Sequence, residues 1–403
     1  MKILIITAAF PPEPVVSSFI SYDLATELAV NNEVTVICPK PTRPCGTDFS
    51  SNNIQVNQTS FERIQLASFT SPKYGYLGRI RESYSIGKHT QRHIEQNHSD
   101  IDILYINTWP LFGQYFAIRA AKKFNLPAVI HIQDIYPESL MEKLPVFKKL
   151  IYRLLLPIDK FIQQNAAKVI TISQAMRSLL VESRELEEDK VEVVYNWQNE
   201  DKFLNYQKSK DSVQKNLSFT FMFLGSLNVT AAVHNLIKAF SKASLVNARL
   251  VIAGNGTEKN SLINLATTYP DANIEFWDAQ IQKVPEIQDQ ADVLLLNLSK
   301  GAARFAMPSK LPAYLFSEKP IIASVDEDSD TAKLILNANC GWVVPPDDID
   351  RLANAMKDAA LTPGVILKNY GKSGFSFSIE KLSKKTNLQK LVSIIENTIK
   401  IKK

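Results

Sequence analysis

The sequence has few of the residues that build metal and disulfide sites. Its 403 residues include only five histidines and three cysteines (Cys38, Cys45 and Cys340). An odd number of widely spaced cysteines argues against a disulfide framework and against a zinc site. The same scarcity suits a reducing compartment, so we expect a cytoplasmic protein that holds no metal.

Long apolar runs and a strong charge of one sign are also missing. No stretch approaches 18 apolar residues, so we expect no segment that spans a membrane. The apolar part of the opening residues, MKILIITAAFPPEP, is too short for a secretion signal and predicts a first β-strand instead. The formal net charge is only +5, which is too small to indicate a nucleic-acid partner.

The alternation of strand and helix patterns predicts an α/β protein with two domains. Strand patterns, such as the apolar run at residues 2–7 and a third predicted strand at residues 53–59, are separated by helical patterns, which is typical of parallel, doubly wound sheets. The chain also exceeds the ~250–300 residues that one core usually supports. A polar, aperiodic stretch at residues 199–217 predicts a linker, and residues 379–401 predict a long terminal helix. Two Rossmann-like domains would bind their ligand in the cleft outside the strand carboxyl ends.

Residues 304–324, RFAMPSKLPAYLFSEKPIIAS, carry the strongest functional signal. Arg304, Ser309 and Lys310 form a polar, cationic turn before a short predicted helix, and helix N-termini bind phosphate. The segment resembles the nucleotide-sugar segment of retaining glycosyltransferases of family 4, which usually read PSK-L-W-E-Y-L-A-x-G-K-P-V-I-A here. The resemblance extends over nearly the whole chain.

This resemblance implies the GT-B fold, in which two Rossmann-like, doubly wound parallel-sheet domains face each other across a cleft. It implies an acceptor-side domain at residues 1–198, a nucleotide-sugar domain at residues 199–375, and a terminal helix at residues 376–403 that joins the first domain. The branch with the PSKL motif implies transfer of a hexosyl or N-acetylaminosugar unit from a nucleoside diphosphate, with UDP expected, to a growing glycan. In that branch the glycan is bacterial O-antigen or capsule polysaccharide on a polyprenyl diphosphate carrier.

Three more segments of the second half resemble donor-binding segments of the family. GSLNVTAAVHNLIKAF (225–240) and VIAGNGTEKNSL (251–262) are strand–turn–helix units whose glycines allow tight turns beside a phosphate. For the glycines of the second segment, the alternative is a purely structural role. FWDAQIQKVPEI (276–287) resembles the segment whose backbone pairs with the nucleobase. The residues implied to bind the donor are Gly225, Ser226, Asn228, Gly254, Asn255, Gly256, Ala279, Gln280, Ile281, Arg304, Ser309 and Lys310.

Four positions depart from the family pattern. Ser226 and Ala231 stand where the family has the Arg and Lys that hold the diphosphate. Phe305 and Ala313 stand where it has two Glu, the second of which binds the ribose. We therefore expect at least one of Lys300, Arg304 and Lys310 to face the diphosphate, with Lys310 the strongest candidate and the one expected to act in catalysis. The alternative for Lys300 and Arg304 is a solvent-exposed charge at a loop tip. We expect no cofactor, because this cation and helix N-termini would replace a metal ion.

An acidic run, DEDSD at residues 326–330, follows a predicted strand. We favour the interpretation that it caps the helix beginning at Thr331. Ribose or sugar binding is the alternative, since ligands of such sheets bind at strand carboxyl ends.

The main evidence for an acceptor site is the segment HIQDIYPESL (131–140), which resembles the family's H-D-L-W-P-E-S segment. Asp134 is the expected catalytic residue here, because it could orient the acceptor hydroxyl or accept its proton. The alternative is a carboxylate that caps the helix at Glu138. For His131, the alternative is a buried core histidine. The acceptor-side residues implied are Ser17, Ser18, Asn107, Thr108, His131, Gln133 and Asp134.

Residues 146–163, VFKKLIYRLLLPIDKFIQ, form a basic amphipathic pattern. Lys149, Arg153 and Lys160 share one face, which suits peripheral contact with the anionic inner surface of the cell membrane. A core-facing helix with a solvated basic side is an equal alternative. Pro157 argues against one straight helix.

Two other functions stay open. The four departures would also fit a catalytically degenerate subunit that binds a partner. A sugar-nucleotide 2-epimerase of the same fold would need acid/base carboxylates and histidines in the cleft, and the chain has only five histidines.

Overall fold

The computed structural model describes residues 1–43, 60–71, 75–107, 111–143, 148–209, 218–279, 283–302 and 307–400. The chain forms two compact units, each with its own parallel sheet. Unit 1 comprises Met1–Asn196 and Asn387–Lys403, and unit 2 comprises Trp197–Thr386.

Unit 1 contains a seven-stranded parallel sheet in the order β3-β2-β1-β4-β5-β6-β7. Its strands are β1 (Lys2–Thr7), β2 (Glu33–Cys38), β3 (Glu62–Gln65), β4 (Ile103–Asn107), β5 (Ala128–Ile132), β6 (Lys168–Thr171) and β7 (Val191–Val193). Its first six helices are α1 (Val16–Leu28), α2 (Tyr76–Asn97), α3 (Leu111–Lys123), α4 (Glu138–Lys143), α5 (Lys148–Asn165) and α6 (Gln174–Arg184). The strand order reverses between β1 and β4, which opens a crevice at the carboxyl ends of these strands.

The central strands of unit 1 are apolar along nearly their whole length. Strands β4 and β5 are buried at every position, and β1 is buried except at Lys2. Parallel sheets of this kind carry helices on both faces, so both sets of alternating side chains are removed from water. This is the physical reason why continuous apolar runs predict these strands.

A buried ion network holds the turn that follows β5. Arg184, fully buried at the end of α6, donates hydrogen bonds of 2.7 Å to both oxygens of Glu138 and one of 2.7 Å to Asp159. It also donates to the carbonyl of Tyr136 at 2.8 Å. Burial raises the pKa of Asp159 to about 6. Burial acts in the same direction on Glu138, but the bonds from Arg184 outweigh it and lower the pKa of that carboxyl. The network fixes the backbone at residues 133–137.

A second buried carboxylate holds the loop between β1 and α1. Glu13 accepts hydrogen bonds from the N–H groups of Phe10 at 3.1 Å, Thr42 at 2.8 Å and Arg43 at 3.0 Å. Burial nevertheless raises the pKa of Glu13. The carboxylate therefore ties the loop after β1 to the chain that leaves β2.

Unit 2 repeats the plan with six parallel strands in the order β10-β9-β8-β11-β12-β13. The strands are β8 (Phe219–Leu224), β9 (Ala248–Ala253), β10 (Ile274–Trp277), β11 (Val293–Asn297), β12 (Ile321–Ser324) and β13 (Gly341–Val344). The helices are α7 (Asp201–Ser209), α8 (Val233–Ala243), α9 (Lys259–Thr267), α10 (Val284–Asp289), α11 (Leu311–Phe316), α12 (Asp330–Asn337), α13 (Ile349–Leu361) and α14 (Gly364–Lys381). Here the order reverses between β8 and β11. Helix α15 (Lys384–Lys400) follows, and its residues from Asn387 onwards belong to unit 1.

The structure corrects two predictions about helices. The predicted linker at residues 199–217 contains α7, whose Phe203 side chain is buried. The predicted single terminal helix is two helices, α14 and α15. Pro157 lies inside α5 without ending it. Pro157 is exposed, so water reaches the carbonyl that its missing N–H leaves unbonded. The strand predicted at residues 53–59 lies outside the described residues.

Candidate functional site

A pocket of about 770 Å³ opens in unit 2 at the carboxyl end of the sheet, beside the reversal in strand order. Its size is in the range of small-molecule sites. The turns after β8 and β9, the turn before α11 and the start of α7 form its walls. The predicted donor-binding residues that line it are Gly225, Ser226, Asn228, Gly254, Asn255, Ala279, Ser309 and Lys310. Gly256 is not part of the lining, and Gln280, Ile281 and Arg304 lie outside the described residues.

Two turns lie against each other at the floor of this pocket, and the second of them needs glycine at two positions. A Cβ on Gly254, whose φ is +148°, would overlap the Gly225 carbonyl, and one on Gly256 would overlap the Leu227 carbonyl. The turns are also hydrogen bonded, since the Gly225 N–H donates to the Ala253 carbonyl at 3.0 Å. Both glycines of the second turn therefore have a structural role, whatever they contact in the pocket.

Lys310 extends into this floor from the turn before α11. Its Nζ lies 4.0 Å from the centroid of the Phe223 ring and 3.0 Å from the position that a Cβ on Gly225 would occupy. The ring face attracts a cation, and the glycine leaves room for it. Burial lowers the pKa of Lys310 to about 8.

The ammonium group of Lys310 has no counter-ion in the described part of the chain. Burial is the one influence that shifts its pKa, and no carboxylate opposes that shift. The described residues that line the pocket include neither Asp nor Glu. Lys310 is half-buried, a position that disfavours a cation without a partner, and in a pocket such a group is typical of a binding site. The pocket therefore favours an anionic ligand.

Two amide side chains at the rim are engaged in local bonds. Asn228 accepts from the Ala231 N–H at 2.9 Å and so caps a short turn. Asn255 accepts from Lys259 Nζ at 2.8 Å, and the same ammonium group bonds Asp278 at 2.8 Å. These contacts fix the rim and leave Lys259 already neutralised.

The wall around Ala313 is apolar. Ala313 packs with Phe203 of α7 and with Phe316, whose rings are 5.8 Å apart between centroids. The sequence did not predict this wall, because the polar, aperiodic pattern of residues 199–217 indicated a linker. A signal was present: Asp201 and Lys208 have the acidic-start, basic-end arrangement of a short helix.

The acidic run at residues 326–330 does not line the pocket. Ser329 is the N-cap of α12, and its Oγ accepts from the Ala332 N–H at 3.2 Å. Asp326 accepts from the Gly301 N–H at 2.9 Å. The capping interpretation is confirmed, with a hydroxyl rather than a carboxylate as the cap.

In unit 1, the predicted residues Ser17, Ser18 and Asn107 lie near the reversal in strand order, where Asn107 is part of a buried hydrogen-bond chain. The Asn107 amide donates to Ser21 Oγ at 3.0 Å and to the Ser17 carbonyl at 3.3 Å. Ser21 in turn donates to Thr7 Oγ1 at 3.0 Å. Ser18 is buried, and its Oγ has no hydrogen-bond partner among the described residues. Asn107 thus serves the packing of α1 on the sheet, and its neighbour Thr108 lies outside the described residues.

His131 is a buried histidine with both ring nitrogens bonded. Nδ1 lies 2.7 Å from the Tyr105 hydroxyl, and Nε2 lies 3.1 Å from Gln133 Nε2. Because the Gln133 amide donates to Nε2, the imidazole proton is assigned to Nδ1. Burial lowers the pKa of His131 to about 3, so the ring is neutral. These contacts support the interpretation of a core histidine.

Asp134 is exposed at the carboxyl end of β5, in the turn that Arg184 fixes. Its carboxylate makes no hydrogen bond or ion pair within the described residues, so it does not cap α4 there. Unit 1 therefore presents an exposed carboxylate without a partner among the described residues, and unit 2 presents a half-buried cation.

Comparison with known proteins identifies related sequences for both halves. The family model described as Glycosyltransferase Family 4 matches residues 20–202, and the one described as Glycosyl transferases group 1 matches residues 218–360. The protein named "Probable glycosyltransferase WbjE" of Pseudomonas aeruginosa is 24% identical over 274 residues. That alignment covers 63% of this chain and 63% of the relative, so the chain spans less than two thirds of the relative's length.

Solved structures share the fold at low identity. HepE of Anabaena, crystallised with UDP, has a TM-score of 0.71 at 14% identity, over 98% of this chain and 100% of that one. WaaG, described as a glycosyltransferase involved in lipopolysaccharide biosynthesis, has a TM-score of 0.65 at 16% identity, over 98% and 99% of the two chains. The GT-B fold predicted from the sequence is confirmed.

We predict that Lys310→Met raises the free energy of unfolding at pH 7 by about 1 kcal/mol, because it removes an unpaired, half-buried charge. The pKa of Lys310 is about 8 in the folded protein against an ordinary value of 10.5. Between these values the unfolded chain binds more protons, so the wild type gains stability as the pH rises. The advantage of the variant should therefore be largest below pH 8 and disappear near pH 10.5.

Urea unfolding at several pH values measures this difference. Lys300→Met, at an exposed position outside the pocket, is the matched control and should show no such pH dependence. A Lys310→Met variant less stable than the wild type at pH 7 would contradict the unpaired-cation interpretation.

Proposed function

The chain belongs to glycosyltransferase family 4, and from that premise we propose that it transfers a sugar from a nucleoside diphosphate sugar to a glycan acceptor. One observation carries the proposal: the half-buried, unpaired ammonium group of Lys310 lies in a pocket whose described lining has no carboxylate. A diphosphate is the ligand class whose charge and oxygen atoms match such a site.

Uridine is the base that we propose for the donor. HepE, which shares the fold, has been crystallised with UDP and with UDP-glucose. Ala279 lines the pocket at the segment whose backbone is expected to pair with the base. Backbone recognition leaves no side-chain signature, so a panel of nucleotides is the appropriate test.

In the proposed reaction, the bond between the anomeric carbon and the β-phosphate oxygen breaks. The oxygen of the acceptor hydroxyl bonds to the same carbon, and its proton leaves to a base. Negative charge then develops on the departing diphosphate, where the Lys310 ammonium group stabilises it. We propose attack from the face that the leaving group occupies, which retains the anomeric configuration. Lys310 and backbone N–H groups carry the neutralising charge in place of a metal ion.

Asp134 is the base that we propose for the acceptor. It is exposed, it is free of partners among the described residues, and the Arg184 network holds its turn. A carboxylate in this state accepts a proton or a hydrogen bond from a sugar hydroxyl.

We predict that Asp134→Asn lowers turnover by on the order of 10²-fold. Nucleotide binding should be unchanged, because the substitution lies in unit 1 and the pocket lies in unit 2. Turnover and calorimetric nucleotide affinity, measured on the same preparation, separate the two effects. Wild-type turnover in the variant would remove Asp134 from the reaction.

We predict that Lys310→Ala lowers turnover by on the order of 10²-fold, since it removes a charge that the transition state needs. The measurement is nucleoside diphosphate release from a panel of UDP-, GDP- and dTDP-sugars with a lipid-linked glycan acceptor. Lys300→Ala is the control, because Lys300 is exposed and outside the pocket.

The same panel separates the enzyme from its alternatives. If the wild type neither binds nor turns over any of these donors, the glycosyltransferase proposal is wrong. That result would favour a catalytically degenerate subunit that binds a partner. Interconversion of the donor sugar without an acceptor would instead indicate an epimerase.

We further propose that the acceptor glycan is carried on a polyprenyl diphosphate at the inner face of the cell membrane. The N-terminal half of α5 supports this, since Leu150 and Leu154 are 56% and 63% exposed beside exposed Lys149 and Arg153. Lys160 is not available for such a contact, because it bonds Glu185 at 2.6 Å. Within the described ranges, no helix combines the length and the hydropathy needed to cross a bilayer.

We predict that the wild type floats with vesicles that contain anionic phospholipid and stays unbound with neutral phosphatidylcholine vesicles. The double variant Leu150→Ser/Leu154→Ser should lose most of this binding, because the apolar contact is removed. Leu361→Ser is the control, at an 82% exposed leucine of unit 2. Equal flotation of the double variant and the wild type would exclude α5 as the contact.

A further inference from the structure

Helix α7 contributes a second cation to the pocket. We propose that Lys202, together with Lys310, binds the anionic part of the nucleotide ligand. This inference rests on the proposed function and goes beyond it, because α7 lies in a stretch whose sequence predicted a linker. Lys202 lines the pocket, as do Gln198 and Asn199, which lead into the helix.

The position of Lys202 is fixed by the packing of its neighbours. Phe203, the next residue, is 5% exposed and packs against Ala313 and Phe316. One turn further on, the Tyr206 hydroxyl donates to Asp289 at 3.1 Å. Helix α7 is thus held on α10 and α11, and the backbone of Lys202 is held with it.

The charge of Lys202 is available to a ligand. The side chain is exposed, and its ammonium group makes no hydrogen bond or ion pair within the described residues. Glu200, two residues earlier, is occupied elsewhere. Its carboxylate accepts from the N–H groups of Lys384 at 2.8 Å and of Lys385 at 3.2 Å.

The charge count of the pocket matches a diphosphate ester. Among the described lining residues, Lys202 and Lys310 are the cations, and there is neither Asp nor Glu. A nucleoside diphosphate sugar carries one negative charge on each of its two phosphates at neutral pH. One lysine would leave half of this charge uncompensated, whereas two neutralise it. Lys202 should therefore distinguish ligands by phosphate charge and not by base.

Titration calorimetry with UDP, UMP and uridine tests this proposal on the full chain. Lys202→Ala should weaken UDP binding about tenfold, through loss of a charge-assisted contact, and should leave uridine binding unchanged. Lys202→Arg should restore most of the UDP affinity, because it keeps the charge. Lys208→Ala is the matched control, since Lys208 is an exposed lysine on the same helix outside the pocket.

The outcomes separate this inference from the function on which it rests. Wild-type UDP affinity in Lys202→Ala overturns the role of Lys202 and leaves the proposed function intact. An equal loss for uridine and UDP also overturns it, because the effect is then independent of phosphate. If the wild type binds neither UDP nor GDP nor dTDP, the proposed function and this inference fall together.

Discussion

An ammonium group held 4.0 Å from the ring of Phe223, at the carboxyl end of a central strand, sets the main constraint on unit 2. The small glycine at position 225 leaves room for the ammonium group, since a Cβ there would lie 3.0 Å from Lys310 Nζ. Burial without a carboxylate partner lowers the pKa of Lys310, so a bound anion would stabilise the charged form. The described lining of the pocket, including the apolar wall around Ala313, adds no carboxylate that could pair with this cation. The packing of the pocket therefore favours an anionic ligand.

Unit 1 has the same kind of fold as unit 2, but the functional group that it presents is negatively charged. Both sheets reverse their strand order beside the first strand of the unit, and functional groups follow the strands near that point. In unit 1 the group is the free carboxylate of Asp134, whose turn is anchored by Arg184 through Tyr136 and Glu138. A cation for the leaving diphosphate and a carboxylate for the incoming hydroxyl are the two groups that sugar transfer needs. The proposed reaction assigns one group to each unit.

The sequence predicted the elements whose signal is local. Strands such as Lys2–Thr7 and Ile321–Ser324 appear at their predicted positions, because continuous apolar runs depend only on burial. Helix α7 was missed because Phe203 and its neighbours are stabilised by packing on other helices, which no local pattern records. The Arg184 network was equally invisible, since it joins residues 25 and 46 positions apart. At the site, the sequence showed that the family's carboxylates are missing at the aligned positions. It did not show the apolar wall around Ala313.

In the proposed reaction, Lys310 binds the diphosphate of the donor. A crystal structure of the protein with a bound nucleoside diphosphate is the direct test. We expect a phosphate oxygen roughly 3 Å from Lys310 Nζ, a charge-assisted hydrogen bond. The diphosphate should lie beside the turn after β8. If the phosphates lie away from Lys310 and the ammonium group stays unpaired, Lys310 does not bind the donor.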